Sequence, residues 1–286
     1  MYRDPDTITT LPLALVALAG LCLGSFLTVV IERLPRILAR QWRSDALVIA
    51  GRLPATEAPL SLVRPASHCP RCQQSIAWHD NIPVLGWLKR RGRCAHCRAS
   101  ISPLYPTIEL SAAVLTVAII YTQGLSGSSI MLVGAALTLL ALAAIDLRTQ
   151  LLPDILTLPL LWAGLIYQLL IAPDMLESAV IGAIVGYGAM WCISMLYLLV
   201  TRHEGMGHGD FKLTAALGAW LGWEMLPLVM LIAAGTGAVC GLLSHALSPD
   251  LRGKPLPFGP WLALAGWCGL IAGDTLMSSY LSLFQP

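Results

Sequence analysis

The chain has 286 residues, 56% hydrophobic and 12% charged, with a mean hydropathy of +0.71. Soluble domains carry about 25% charged residues, so this composition excludes an ordinary soluble domain and points to an all-α polytopic membrane protein. The net charge of +2 conceals an uneven spread: 12 of the 18 Lys+Arg lie between Arg33 and Arg98, where the only acidic residues are Asp45, Glu57 and Asp80.

Apolar runs near the length that crosses about 30 Å of hydrocarbon occur at 11–31, 105–123, 128–145, 155–172, 177–200, 211–223, 225–247 and 257–283. They predict about eight transmembrane helices. The sixth is short and reads equally as tilted, packed or re-entrant. Asp4 and Asp6 precede the first run and arginines follow it, the reverse of a cleaved signal, so it reads as a permanent span. The expected organisation is a first span (1–32), a basic cytoplasmic loop with a zinc-ribbon-like cysteine set (33–104) and a membrane core (105–286).

Orientation follows from the basic residues. With the N-terminus outside, segments 32–104, 146–154, 201–210 and 248–256 face the cytoplasm. They and their edges carry every Lys and Arg except Arg3, including Arg148, Arg202, Lys212, Arg252 and Lys254. Gly-xxx-Gly spacings at Gly20/Gly24, Gly182/Gly186, Gly218/Gly222 and Gly237/Gly241 permit close helix packing, although Gly is common in membrane helices anyway.

Within the basic loop, Cys69-Pro-Arg-Cys72 and Cys94-Ala-His-Cys97 form two C-x2-C pairs separated by 21 residues. Four thiolates at this spacing suit tetrahedral Zn²⁺ with no open position, hence a structural metal. His68 and His96 adjoin the cysteines as alternative ligands or solvated neighbours. The arginines suit topology setting and anionic lipid headgroups of the bilayer, not nucleic acid, because no aromatic-interleaved basic surface accompanies them.

Two aspartates stand where apolar runs meet polar loops. Asp146 ends the third run, and Asp210 closes Gly205-Met-Gly-His-Gly-Asp210. A carboxylate forced to a membrane helix centre costs roughly 2.5–3.5 kcal/mol, so such residues call for a reason. Asp210 reads either as a helix-start aspartate or as a catalytic acid beside a glycine turn that admits an extended substrate. In the first loop Asp154 follows Pro153 as a helix cap would, whereas Asp146 ends a helix, against its dipole. The less favourable position argues for Asp146 as the functional residue. Glu204 could tune Asp210, and His208 offers a base or a solvated neighbour.

Five motifs in order carry a family resemblance. They are Gly24-Ser-Phe-Leu-Thr-Val-Val-Ile-Glu-Arg-Leu-Pro35, Trp78-His-Asp-Asn-Ile-Pro-Val-Leu-Gly-Trp87, the two cysteine pairs, Asp146 with Leu152-Pro-Asp-Ile-Leu-Thr-Leu-Pro-Leu-Leu-Trp162, and Glu204-Gly-Met-Gly-His-Gly-Asp-Phe-Lys212. Together they closely resemble the type IV prepilin leader peptidases, membrane aspartic proteases of type IV pili and type II secretion. The resemblance implies cleavage of basic leaders from prepilins or pseudopilins after a glycine, at the cytoplasmic face of the bacterial inner membrane, with Asp146 and Asp210 as the catalytic pair. It also implies N-methylation of the new terminus with S-adenosylmethionine, for which Gly92 and Arg93 are candidates. Thr28, Glu32 and Leu104 stand where the family usually has Asn, Tyr and Arg.

Two other readings fit parts of the pattern. A transporter or scaffold would use the aspartates structurally or as proton relays, and a Gly-x-Gly-Asp membrane protease would act on other substrates. The sequence sets no oligomeric state, and it does not say which aspartate is the base.

Overall fold

The computed structural model describes residues 13–53, 60–203, 205–247 and 256–282. Arg3, Asp4, Asp6, Glu57, Glu204, Arg252 and Lys254, used above, lie outside this set. The described residues form α-helices with two short 3-10 turns, and two isolated bridges are their only β-pairing. Among the described residues seven helices are long and apolar enough to cross a membrane. The chain divides into two compact units, Met1–Tyr121 and Thr122–Pro286.

In the first unit α1 (Leu13–Ile49) runs for 37 residues, well past the apolar run, and carries Pro35 internally. The basic extension keeps good helix formers such as Arg, Leu, Ala and Gln, so polarity ends the span without ending the helix. α1 pairs with α3 (Leu104–Gln123) through two glycines. A Cβ on Gly20 or on Gly24 would lie 2.7 Å from the Cα of Ala113 or Glu109 respectively, so only glycine admits this approach. Between them lie a 3-10 turn (Trp78–Asp80), the short α2 (Leu85–Lys89) and the cysteine segments. Asp80 accepts from Arg90 at 2.6 Å and Lys89 at 3.1 Å. Buried Glu109 of α3 accepts from the Val84 amide at 2.7 Å, tying the loop to the helix.

The second unit holds α4 (Gly127–Thr149), α5 (Asp154–Ile171), α6 (Leu176–Thr201), α7 (His208–Leu221), α8 (Leu226–Leu247) and α9 (Gly259–Ser282). α7 is its centre. It has 14 residues, roughly 21 Å, and every residue from Leu213 to Trp220 is buried. It packs against α5, α6 and α9, while α4 packs against α5 and α9. This helix is the short sixth run, the one apolar run among the described residues without the length of a span.

Two of the glycine spacings meet each other across α6 and α7. A Cβ on Gly182 would sit 2.6 Å from the Gly218 carbonyl oxygen, and one on Gly186 would sit 2.9 Å from that of Thr214. Gly237 and Gly241 instead meet Trp261 and Leu256 side chains. The α5–α7 contact is fixed by polar groups. Trp220 donates its indole N–H to the Leu160 carbonyl at 2.8 Å, and Gln168 donates to the Trp220 carbonyl at 2.8 Å. Inside hydrocarbon an indole or amide left alone is costly, so each bond sets the register of the two helices.

Candidate active site and metal centre

Asp146 lies in the last turn of α4 and is 5% exposed. The helix stops at Gln150, which is left-handed and returns its N–H to the Asp146 carbonyl. An extended link, Leu151–Pro153, then starts α5. Asp210 is the third residue of α7 and is 8% exposed. Its own N–H bonds the Gly207 carbonyl, and Thr214 donates to its carbonyl oxygen. The structure brings the two aspartates to one neighbourhood: Leu152 packs on Gly209, beside Asp210, and on Gly259, which donates to Asp146.

Leu152 lies between the two helix starts that flank the pair. Its side chain is in the space a Cβ would need on both Gly209, beside Asp210, and Gly259, the first residue of α9. The Gly259 N–H donates to Asp146 Oδ2 at 2.9 Å, and a Cβ there would lie 2.7 Å from that oxygen. Asp154 faces elsewhere: both of its oxygens accept from Lys212 at 2.7 Å. His208 is exposed, with its ring tilted over Phe211 at 5.3 Å.

The four loop cysteines also converge. Their Sγ atoms all lie within 4.8 Å of one another, with Cys69–Cys97 at 3.7 Å and Cys72–Cys94 at 3.9 Å. A tetrahedral ion at a metal–sulfur distance of about 2.3 Å needs sulfur–sulfur edges of roughly 3.8 Å, so the set fits one metal ion. The two halves repeat each other. Cys69 and Cys94 each accept a turn amide, from Gln73 and Arg98, both left-handed, and the bridges His68–Ser75 and Arg93–Ser100 close the turns. The amides of Cys72 and Arg71 hold the Cys69 thiol down to about 6, whereas burial and the neighbouring sulfurs push Cys72 up to about 11, so four crowded thiols share charge until an ion binds them. His68 bonds the Ala66 carbonyl through Nδ1 and is not part of the cluster.

Gly92 sits in the same loop at φ +65°, with its Cβ position 2.8 Å from the Trp87 ring. Its N–H bonds the Trp87 carbonyl and its own carbonyl accepts from Ile101. Arg93 is exposed.

Residues 18–123 match the family described as Bacterial Peptidase A24 N-terminal domain, and residues 133–242 match the Type IV leader peptidase family. A Prepilin leader peptidase/N-methyltransferase of Aeromonas hydrophila is 45% identical over 273 residues, 95% of this chain and 94% of that protein. The chain belongs to the type IV leader peptidase family. A protein of the same description from Stutzerimonas stutzeri is 46% identical over 275 residues, covering 94% and 95% of the two chains. That of Pseudomonas aeruginosa is 42% identical over 280 residues, covering 96% and 97%. No solved structure matches.

In this leader peptidase family member, the sequence reading missed Gly259 and treated Leu152 only as part of a motif. The local signal for Gly259 was Phe258-Gly259-Pro260, a small residue before a proline that opens a helix. The positions that differ from the usual family pattern are accommodated locally. Thr28 donates to the Ser25 carbonyl at 2.7 Å, Glu32 pairs with Arg36 one turn on, and Leu104 begins α3.

Proposed function

We propose that this chain removes the basic leader of type IV prepilins or type II secretion pseudopilins at the cytoplasmic face of the bacterial inner membrane, and then methylates the new N-terminus. The observation that carries the reading is the buried pair Asp146 and Asp210, in a chain of the leader peptidase family. The excess of Lys and Arg in segments that flank the same helix ends supports the orientation. The relatives' name, which includes N-methyltransferase, supports the second activity.

Two carboxyls that share a buried site do not both ionise readily, so the working state holds one proton between them. The ionised aspartate takes a proton from water, and the resulting hydroxide adds to the scissile carbonyl carbon. The protonated aspartate donates to the carbonyl oxygen as it gains charge. Collapse breaks the C–N bond: the leaving amine takes the proton removed from water, and one hydroxyl of the tetrahedral intermediate returns its proton to the other aspartate as the new carboxylic acid forms. One water is consumed, and the pair returns with one proton.

Cys69, Cys72, Cys94 and Cys97 would hold Zn²⁺ with four thiolates, which would fasten the loop. S-adenosylmethionine would supply the methyl group when bound. Both main-chain groups of Gly92 are already bonded, so of the two candidate residues the exposed Arg93 is the one with donors for an anionic part of that molecule.

The test is mass spectrometry of a peptide with a basic leader, Gly, Phe and an apolar helix, incubated with the purified protein and S-adenosylmethionine. One cut after Gly and a mass gain of one methyl are expected. Asp146→Asn and Asp210→Asn should each abolish the cut while the protein still folds. Retained cleavage in either variant removes that residue from the site.

A further inference from the structure

We propose that the main-chain N–H of Gly259 holds Asp146 as the ionised member of the pair, so that Asp146 is the general base and Asp210 carries the proton. Gly259 is then a positioning residue for the hydrolysis. The inference rests on the aspartate-pair reading above and adds the direction of proton flow, which a symmetric pair leaves open.

The two carboxyls have different surroundings. Asp146 Oδ2 accepts the Gly259 N–H at 2.9 Å, a buried bond from the first residue of α9. Among the described residues no hydrogen bond to the Asp210 carboxyl is found, although Asp210 lies in the first turn of α7 and Asp146 near the end of α4. Those helix-end fields favour charge on Asp210. A direct donor to a carboxylate outweighs such a field by roughly twofold or more. The Gly259 amide also adds the field of α9 at Asp146.

Among the described residues the charged groups near the pair are few, and Arg148, two residues beyond Asp146 on α4, is exposed. From α5 and α7 come Asp154 and Lys212, which are paired with each other, and His208, turned onto Phe211. Leu152 packs on Gly259 and fixes the start of α9 against Asp146. Gly259 has no room for a side chain, because its Cβ would lie 2.7 Å from Asp146 Oδ2.

The test is the pH profile of peptide cleavage by Gly259→Ala. The methyl pushes the carboxylate off its donor and disfavours its charged form. If Asp146 ionises first, the acidic limb moves up by about one pH unit, a roughly tenfold loss of rate at acid pH, and the alkaline limb stays. A shift of the alkaline limb alone means Asp210 ionises first and overturns the assignment. A uniform loss with neither limb moved makes Gly259 merely structural and also overturns it. If Gly259→Ala does not fold, Leu152→Ala takes its place, with a smaller shift of the acidic limb expected and an unmoved limb overturning the proposal. The two aspartate variants keep the outcomes separate: cleavage retained in Asp146→Asn or Asp210→Asn sinks the pair itself, whatever the limbs do.

Discussion

Lys212 reaches both carboxylate oxygens of Asp154 at 2.7 Å, joining the first turn of α5 to the second turn of α7. The pair is partly exposed, 29% for Lys212 and 56% for Asp154. Exposed ion pairs contribute about 0–1 kcal/mol. Asp154→Ala should therefore slow peptide cleavage by no more than about fivefold. Loss of a catalytic carboxyl should cost about 10²–10⁴-fold. Initial rates of the two classes of variant side by side check this, and a catalytic-scale loss in Asp154→Ala would bring Asp154 into the site.

The cysteine centre should bind roughly one zinc per chain, measured by elemental analysis of the purified protein. Structural zinc sites carry about 10 kcal/mol of apparent binding free energy. A chelator strong enough to strip the ion, or a Cys72→Ser change, should therefore open the segment between residues 60 and 104 to protease. Metal-free protein with a protease-resistant loop would count against the zinc reading.

Loop stability should also respond to acid. Arg90, helped by Lys89, holds Asp80 down to about 2, against an ordinary value of 3.8. A depressed folded value stabilises fully above about pH 4, and the contribution fades as pH falls toward 2. Asp80→Asn should thus lower loop stability at pH 7 and match the wild type near pH 2. Tryptophan fluorescence during thermal unfolding, compared across this range, reads the difference, since Trp87 donates to the Ile101 carbonyl in the same loop.

Glycines on one helix should differ sharply. On α6, Gly182→Ala drives a methyl toward the Gly218 carbonyl oxygen and should cost about 1–3 kcal/mol. Gly188 has nothing within 4 Å, and Gly188→Ala should be neutral or stabilise by up to about 1 kcal/mol. Thermal unfolding in detergent separates them.

The apolar runs were legible because hydrocarbon demands long uncharged helices, and the cysteine set because two matched turns are local. The end of α1 was not, since helix propensity outlasts the apolar stretch to Ile49. Asp146 could be preferred to Asp154 from helix-end electrostatics alone, and the Lys212 pair gives Asp154 a separate occupation. The Gly259 contact was out of reach. Its donor is backbone, which has no residue signature, and its acceptor lies 113 residues away. Only the packing of α9 on α4 brings them together.

The shortness of α7 sets a depth. Gly182 meets Gly218 and Gly186 meets Thr214, an antiparallel register that puts Asp210 level with Met190. α6 continues from there to Thr201, roughly 16 Å farther at 1.5 Å per residue. α6 therefore stands well past the level of Asp210 along one side of α7. For the substrate proposed above, the stretch of α6 between Met190 and Thr201 would then act as a ruler between the charges of the leader and the bond that is cut.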